Sequence, residues 1–221
     1  ARGDFIAFLD VDDLWSPDKL AMQIPLFHDV EVGLVYCKSW VLNESSSISH
    51  KMHKNDLPTG WVLSHLVEQY FLVLSSLVVR KSAFYSIENG FDETLNILGD
   101  LDFFIRLAIN WKLDCPKEEL AVYRLHGDNL GQNQRDTHVR EYKIVVRKFR
   151  DNKFISILPE LDNLENELIY VEGQRHVIKR DMKMAINSII SLPYGKLKIK
   201  LIILLVVPRP LLSWLRRLSG H

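Results

Sequence analysis

A short apolar segment that ends in three aspartates constrains the fold of this 221-residue chain more than any other feature. Residues 5–9 (FIAFL) are all apolar, which is typical of a strand buried on both faces of an α/β sheet. Asp10, Asp12 and Asp13 follow at the end of this strand, where such sheets bind ligands. Aspartates also cap turns at strand ends, but three carboxylates this close repel one another unless a cation compensates them. Since oxygen ligands suit Mg²⁺ or Mn²⁺, the segment indicates metal-dependent chemistry on a phosphorylated substrate.

The beginning of the chain adds a second constraint. The predicted strand starts at residue 5, yet a fully buried strand needs neighbours on both sides and helices over both faces. No upstream residues supply them. We therefore expect an α/β domain that is truncated at its N-terminus.

The charge balance and the cysteines exclude several classes of protein. The chain has 28 basic and 28 acidic residues, so no global positive field favours nucleic-acid binding. Cys37 and Cys115 are isolated, lack metal-site spacing and fit a reducing compartment. The longest uninterrupted apolar run, residues 201–207, is far too short to span a bilayer. We expect a cytoplasmic protein that does not bind nucleic acid.

Hydrophobic periodicity divides the chain near residue 135 into an α/β part and a helical part. Strands are predicted at residues 32–38, 71–80 and 120–125. Residues 99–108 predict a helix, because their apolar side chains recur at i, i+3, i+4 and i+7. Beyond the division we expect a helical extension over 136–195 and a basic amphipathic tail over 196–221.

One polar segment, residues 43–59, is predicted to be an exposed loop because it carries three consecutive serines and little apolar alternation. Its His50 and His53 have no carboxylate or cysteine in register. Solvated side chains are therefore favoured over a metal site.

Five motifs in order resemble the family 2 glycosyltransferases, which have the GT-A fold. They are similar to the family's strand with its DXD motif, the segment after it, the stretch before the acceptor helix, the ED-type motif and the closing Tyr-Arg-x-His element. In this chain they are GDFIAFLDVDD (3–13), Trp15 with Pro17, Lys19, Leu20 and Gln23, SSLVVR (75–80) with GFDE (90–93), GDLD (99–102) with Arg106, and YRLHG (123–127) with Asn129. The resemblance covers residues 1 to about 130. It implies a GT-A-type, Rossmann-like mixed sheet, with residues 1–135 forming the metal and acceptor half of the domain.

The resemblance also implies a metal site. Asp10, Asp12 and His126 would hold Mg²⁺ or Mn²⁺, with Asp12 as the first choice of direct ligand and Asp13 nearby. Magnesium uses only one or two carboxylates, so Asp10 could instead bind the ribose or a metal-bound water. His126 could instead be a loop histidine held by a backbone hydrogen bond.

Asp100 is the implied general base, because the ED-type motif supplies this residue in inverting enzymes. Gly99 stands where the family commonly has an acid. An aspartate at the start of a helix is otherwise a cap. Asp102 and Arg106 are four positions apart and are expected to pair on the helix surface.

Five residues are placed near the nucleotide-sugar or the acceptor, namely Asp13, Trp15, Gly99, Asp102 and Arg124. Trp15 could stack on a sugar or could cover the core as a rim aromatic. Arg124 could approach the diphosphate or could pair with an acid at the sheet edge. Both alternatives stay open at this point.

The tail has the character of a membrane-surface helix. Lys196, Lys198 and Lys200 precede the apolar run, and Trp214 follows in a segment with arginines on another face. This pattern suits the headgroup region of an anionic leaflet, and the alternative is docking on the catalytic domain or a partner. We expect peripheral contact of 196–221 with the inner face of the cell membrane.

Together these expectations describe a metal-dependent inverting glycosyltransferase that moves a sugar from a nucleotide-diphosphate donor to a glycan or lipid-linked acceptor. The family's first strands, which recognise base and ribose, have no counterpart, so the chain alone is expected to be inactive. One alternative is a haloacid-dehalogenase-like phosphatase with Asp10 as nucleophile and Asp12 as acid/base, although Leu14 and Trp15 match that pattern poorly. Another is a non-catalytic, membrane-associated binding module.

Overall fold

A computed structural model describes residues 2–44, 46–126 and 134–207 of the chain. The chain divides into two compact units, Ala1–Glu141 and Tyr142–His221. Gly127 and Asn129 of the last motif lie outside the described residues, as does the part of the tail from residue 208 onward.

The first unit contains two mixed sheets. Its strands are β1 (Phe5–Ala7), β2 (Leu14–Trp15), β3 (Val32–Val35), β4 (Lys38–Asn43), β5 (Ile48–Lys51), β6 (Val78–Arg80), β7 (Lys112–Asp114) and β8 (Glu119–Leu125). One sheet has the order β1-β6-β3-β7 and the other has the order β2-β8-β4-β5. Each sheet combines antiparallel pairs with one parallel pair, β3 with β7 and β4 with β8. The expected mixed α/β fold is confirmed.

Short helices connect these strands. They are α1 (Lys19–Gln23), α2 (Leu63–Glu68), α3 (Lys81–Tyr85) and α4 (Gly99–Leu107), with 3₁₀ turns at Ile24–His28 and Leu74–Ser76. The helix predicted for 99–108 is confirmed as α4, whose buried face carries Leu101, Phe104 and Ile105. The predicted strand at 71–80 is correct only in its last three residues, because the 3₁₀ turn occupies its centre.

The prediction that the first strand is buried on both faces is wrong. Phe5 and Ile6 are half-buried and Leu9 is 48% exposed. Among the described residues β1 pairs only with β6, so a neighbouring strand lies along only one of its two edges. Phe5 packs on Phe27, with ring centroids 4.5 Å apart, while β3 is the strand that is buried along its whole length.

The prediction of a loop over 43–59 is also wrong in part. Residues Ile48–Lys51 form β5, which pairs antiparallel with β4 and is exposed at every position. A strand with both faces exposed shows no apolar alternation, so its sequence resembles a loop. Ser47 occupies the left-handed region of the turn between these strands, with φ of 55°.

A cluster of five phenylalanines joins the end of β1 to α4. Phe8 lies 5.9 Å from Phe104 between ring centroids, and Phe91 stacks on Phe103 at 4.3 Å. Phe84 contacts Phe8 and Phe103 within the same cluster. Because Phe8 and Phe104 are close to Asp10 and Asp100 in sequence, this packing places the two acids on the same side of the unit.

The second unit is helical, as expected. Helix α5 (Arg135–Asp151) crosses the division between the units, and α6 (Glu160–Ile178), α7 (Met182–Ser191) and α8 (Lys196–Val206) follow. Helix α6 packs on α7 and α8, with Gly173 facing Leu201 so closely that a Cβ would lie 2.4 Å from Leu201 Cδ2. Within the described residues, no helix is both long and apolar enough to cross a membrane.

Candidate active site

A cavity of about 920 Å³ opens beyond the end of β1 in the first unit. Asp10 and Asp12 line it on one side, and Asp100 lines it from the first turn of α4. Apolar and polar side chains from four other segments complete the walls: Met52 and His53, residues 69–74, Asn96 and Ile97, and Tyr123. Two of the three predicted metal-site residues and the predicted base therefore share one cavity.

The carboxylate of Asp12 is joined to His126 by a side-chain contact of 2.8 Å between Oδ2 and Nε2. Pairing of β2 with β8 brings them together, because Leu14 stands opposite Val122 and both residues lie just beyond the paired positions. The hydrogen bond with His126 is the largest contribution that lowers the pKa of Asp12. The side chains of Asp12 and His126 are therefore in direct contact.

Asp13 has a different environment from its neighbours. It is buried, and its Oδ1 accepts a hydrogen bond of 3.0 Å from the backbone N–H of Arg124. Its own N–H donates to the carbonyl of Asp10 at 3.1 Å. Asp13 thus ties the aspartate turn to β8 and does not line the cavity.

Ser75 holds Asp10 through both the backbone and the side chain of the aspartate. Its N–H donates to Ser75 Oγ at 3.0 Å, and its carboxyl group lines the cavity. Desolvation, followed by the negative charges of Asp13 and Asp12, raises the pKa of Asp10. A bound cation would relieve this repulsion.

Trp15 and Arg124 both make structural contacts: Trp15 covers part of the core, and Arg124 pairs with an acid at the end of a strand. The indole N–H of Trp15 donates to the Ser75 carbonyl at 2.6 Å, and its ring packs on a buried cluster that contains Cys37 and Leu120. Arg124 Nε donates to Glu44 Oε1 at 2.8 Å, beside the end of β4. Neither side chain lines the cavity.

Asp100 is partly buried and receives two hydrogen bonds. The Tyr70 hydroxyl donates to Oδ2 at 3.1 Å, and the Leu101 N–H donates to Oδ1 at 2.8 Å. Burial raises the pKa of Asp100 despite these bonds, and the charge of Asp10 adds to the rise. A carboxylate with a raised pKa is a stronger base than an exposed aspartate.

The other residues of this motif serve the helix. Asp102 pairs with Arg106 as predicted, with Arg106 Nη2 2.7 Å from Oδ2, but the pair is not on the surface because Asp102 is fully buried. Arg106 also donates to the carbonyl of Gly90 at 2.6 Å. A Cβ at Gly99 would meet only ordinary contacts at 3.9 Å, so packing does not require glycine there.

Two supporting residues, Glu141 and Tyr70, had no signal in the sequence analysis, and Ser75 appeared there only as part of the SSLVVR motif. Glu141 of α5 is fully buried, and its carboxylate accepts backbone hydrogen bonds of 2.8–3.0 Å from Asn96, Ile97 and Leu98. It therefore fixes the segment that leads into α4, which begins at Gly99. Tyr70 and Ser75 hold Asp100 and Asp10, and each acts across 30 or more positions of sequence, beyond the reach of a local pattern.

The donor set near Asp12 suits a divalent cation that is only partly held by protein. An octahedral Mg²⁺ with ligands at about 2.1 Å places adjacent ligand atoms about 3 Å apart, close to the spacing of Asp12 Oδ2 and His126 Nε2. Within the described residues, no group of three or more His, Cys, Asp or Glu side chains has the geometry of a metal site. Asp12 and His126 would therefore hold the ion together with water and substrate oxygens.

Sequence comparison identifies relatives of this chain. A family model described as glycosyltransferase like family 2 matches residues 1–151. An uncharacterized glycosyltransferase of Methanocaldococcus jannaschii is 26% identical over 127 residues, which are 57% of this chain and 43% of the relative. The UDP-Glc:alpha-D-GlcNAc-diphosphoundecaprenol beta-1,3-glucosyltransferase WfgD of Escherichia coli is 25% identical over 147 residues, which are 66% of this chain and 55% of the relative. The chain thus spans about half the length of these relatives.

Structural comparison agrees on the fold. The crystal structure of Staphylococcus aureus TarS residues 1–349 in complex with UDP-GlcNAc aligns with a TM-score of 0.56 at 12% identity, covering 86% of this chain and 56% of TarS. At this identity the likeness establishes the fold alone. The family model covers more than half of the chain and contains Asp10, Asp12, Asp100 and His126. This chain belongs to the family 2 glycosyltransferases.

Proposed function

We propose that the protein is a metal-dependent inverting glycosyltransferase that transfers a sugar from a nucleotide-diphosphate donor to a glycan or lipid-linked acceptor. The observation that carries the proposal is the shared cavity, which is lined by Asp100 and by Asp12, whose carboxylate contacts His126. Family membership contradicts the phosphatase alternative, because the matched residues 1–151 include both Asp10 and Asp12.

The metal would neutralise the charge that develops on the leaving diphosphate. Asp12 and His126 would hold it, and Asp10 would either join them or bind the ribose or a metal-bound water. The raised pKa of Asp10 supports a cation here, because burial and the charges of Asp13 and Asp12 disfavour the ionised carboxyl group of Asp10, and a bound cation would favour it. Two protein ligands would leave most coordination positions for water and the diphosphate oxygens.

Asp100 would act as the general base. Its carboxylate would accept the proton of the acceptor hydroxyl as that oxygen attacks the anomeric carbon from the face opposite the diphosphate, which inverts the configuration. Burial raises the pKa of Asp100, so its conjugate acid holds this proton more firmly than an exposed aspartic acid would.

The relatives support the substrate classes. The name of the Escherichia coli relative specifies a UDP-Glc donor and a sugar linked to diphosphoundecaprenol as acceptor, and TarS has been crystallised with UDP-GlcNAc. Transfer from a nucleotide sugar to a glycan or a lipid-linked acceptor is therefore the form of the reaction that we propose for this chain.

We further propose that the tail contacts an anionic membrane surface. Ile199, Ile202, Ile203 and Val206 recur at i, i+3, i+4 and i+7 on α8 and are all more than 40% exposed. Three lysines, Lys196, Lys198 and Lys200, lie on the same short helix, which carries no acidic residue. An exposed apolar stripe with cations beside it is the combination that binds the headgroup region of anionic leaflets.

The catalytic proposal is tested by donor hydrolysis in the protein at its natural full length, with UDP-sugars and Mn²⁺. Asp12→Asn and Asp100→Asn are each expected to lower the rate at least a hundredfold. Asp18→Asn is the matched control, because Asp18 is exposed and its side chain makes no cap bond to α1. Full activity in both site variants would refute the proposal.

Flotation with liposomes tests the membrane contact. Replacing the four exposed apolar residues of α8 by serine, or deleting 196–221, should abolish flotation with vesicles of phosphatidylglycerol and phosphatidylcholine. Vesicles of phosphatidylcholine alone should bind the unaltered protein weakly. Unchanged flotation of the deletion variant would show that the tail does not bind the membrane.

A further inference from the structure

The residue that holds the proposed base is Tyr70. Its hydroxyl donates to Asp100 Oδ2 at 3.1 Å, while the Leu101 N–H occupies Oδ1 at 2.8 Å. Each carboxylate oxygen can accept a further hydrogen bond, so this arrangement fixes the carboxylate and still leaves acceptor capacity. Tyr70 and Asp100 both line the cavity that Asp12 enters from the other side.

Tyr70 is itself well anchored. It lies two residues beyond α2, whose Leu66 and Val67 are fully buried, and α2 packs on α4. The N–H of Gln69 donates to the carbonyl of His65 at 2.9 Å, which fixes the chain where it leaves the helix. Tyr70 thus reaches Asp100 from the segment after α2, whereas Asp100 itself lies on α4.

The hydroxyl of Tyr70 acts as a donor throughout the working range of pH. Burial, followed by the negative charge of Asp100, raises the pKa of Tyr70 well above its ordinary value. In return, this hydrogen bond lowers the pKa of Asp100 and partly offsets the effect of burial. The other titratable groups that line the cavity are Asp10, Asp12, His53 and Tyr123.

We propose that Tyr70 is a positioning residue for Asp100, and that its hydroxyl keeps the carboxylate in the orientation and the ionised state in which it takes the acceptor proton. This inference rests on the proposed role of Asp100 as the base. It assigns to the segment after α2 a part in catalysis that the motifs of the sequence do not include.

The test is the pH–rate profile of Tyr70→Phe, measured with a UDP-sugar and Mn²⁺ in the protein at its natural full length. Loss of a hydrogen bond to a charged group should lower kcat about tenfold near neutral pH. The acid limb of the profile should move to higher pH, because Asp100 then loses a bond that favours its ionised form. The deficit should shrink as pH rises, and KM for the donor should not change.

Two further variants serve as controls for the Tyr70→Phe experiment. Tyr85→Phe is the matched control, since Tyr85 is 66% exposed and does not line the cavity, and it should behave like the unaltered protein. Asp100→Asn should be inactive while retaining Mn²⁺-dependent UDP binding. If Asp100→Asn is inactive but Tyr70→Phe keeps the unaltered kcat or the unaltered pH profile, Tyr70 is only structural and the inference fails. If Asp100→Asn is active, the proposed function itself is wrong.

Discussion

His126 Nε2 lies 2.8 Å from Asp12 Oδ2, although 114 positions of sequence separate the two residues. The register of β2 against β8 creates this contact, because Asp12 precedes β2 and His126 follows β8, which puts both residues at the same end of one antiparallel pair. In the function that we propose, this carboxylate and this imidazole would be two adjacent ligands of a divalent cation. This contact therefore joins the aspartate turn after β1 to the residue that follows β8.

Asp12→Asn and His126→Ala should each weaken the binding of UDP in the presence of Mn²⁺. Each substitution removes one of the proposed metal ligands, so a loss of about tenfold to a hundredfold in affinity is expected. Isothermal titration calorimetry with UDP, with and without Mn²⁺, measures this difference. An unchanged affinity in both variants would contradict the proposed metal site.

Asp100 should impose a characteristic pH dependence on the reaction. The base must be ionised, and burial raises the pKa of Asp100, so the rate should rise with pH around a midpoint above the ordinary range of aspartate. An acid whose pKa is raised on folding destabilises the folded protein at neutral pH. Asp100→Asn should therefore lose activity without losing thermal stability. A lower melting temperature together with retained activity would contradict both parts of this prediction.

Glu141→Gln should destabilise the protein, because the carboxylate accepts hydrogen bonds from three backbone N–H groups in the segment that leads into α4. Burial alone would raise the pKa of Glu141, but these hydrogen bonds hold it below its ordinary value. An acid with a lowered folded pKa stabilises the fold above its unfolded pKa, and this contribution is lost as pH falls through the folded value. The expected loss at pH 7 is about 1.5–3 kcal/mol.

Urea unfolding of Glu141→Gln at pH 7 and at pH 4 measures this effect. The difference between the variant and the unaltered protein should be larger at pH 7. Glu88→Gln provides a control on the exposed surface of the same unit. A stability difference that does not depend on pH would show that the charge of Glu141 does not stabilise the segment before α4.

Lys19→Met should stabilise the protein at neutral pH. The Lys19 side chain is fully buried, its Nζ has no hydrogen-bond partner among the described residues, and it lies 4.3 Å from the centroid of the Trp15 ring. Burial lowers the pKa of Lys19 to about 8. At pH 7 the folded protein therefore carries an unfavourable buried charge, and methionine of similar length should add about 1–2 kcal/mol.

The pH dependence identifies the cause of that change. Between pH 7 and pH 9 the folded protein releases the Lys19 proton while the unfolded chain retains it, so stability should rise by ~1 kcal/mol. The Lys19→Met variant should lack this rise. Measurements should end at pH 9, because burial raises the pKa of Cys37 to about 11. At higher pH the unfolded chain loses the Cys37 proton before the folded protein does, which lowers the stability of the folded protein. Parallel curves for both proteins would contradict the prediction.

Much of the site is readable from local patterns. The aspartate run, the helix of Asp100 and the strand before His126 each follow from residue types at fixed spacing, and the structure forms α4 and β8 at the expected places. That these three segments contribute to one site was predicted only from the resemblance to a family. The spacing alone left Asp10 to Asp13 equivalent, since all three are aspartates in one turn.

The roles within that turn depend on long-range contacts. Asp13 is buried and bonded to the Arg124 backbone, Asp12 contacts His126, and Asp10 faces the cavity. A one-residue step changes the direction of each side chain, and only the pairing of β2 with β8 determines which acid meets which partner.

The α/β class, the helical C-terminal part and the candidate acidic and histidine residues of the site follow from the sequence, because they depend on periodicity and residue chemistry within short segments. The half-buried state of β1, the strand β5, the contacts of Glu141 with the segment before α4 and the hydrogen bond from Tyr70 to Asp100 follow only from the packing of the chain. Each of these joins residues that are distant along the chain or depends on what covers a surface. Burial and pairing of that kind are properties of the packed chain and leave no periodic signal in its local sequence.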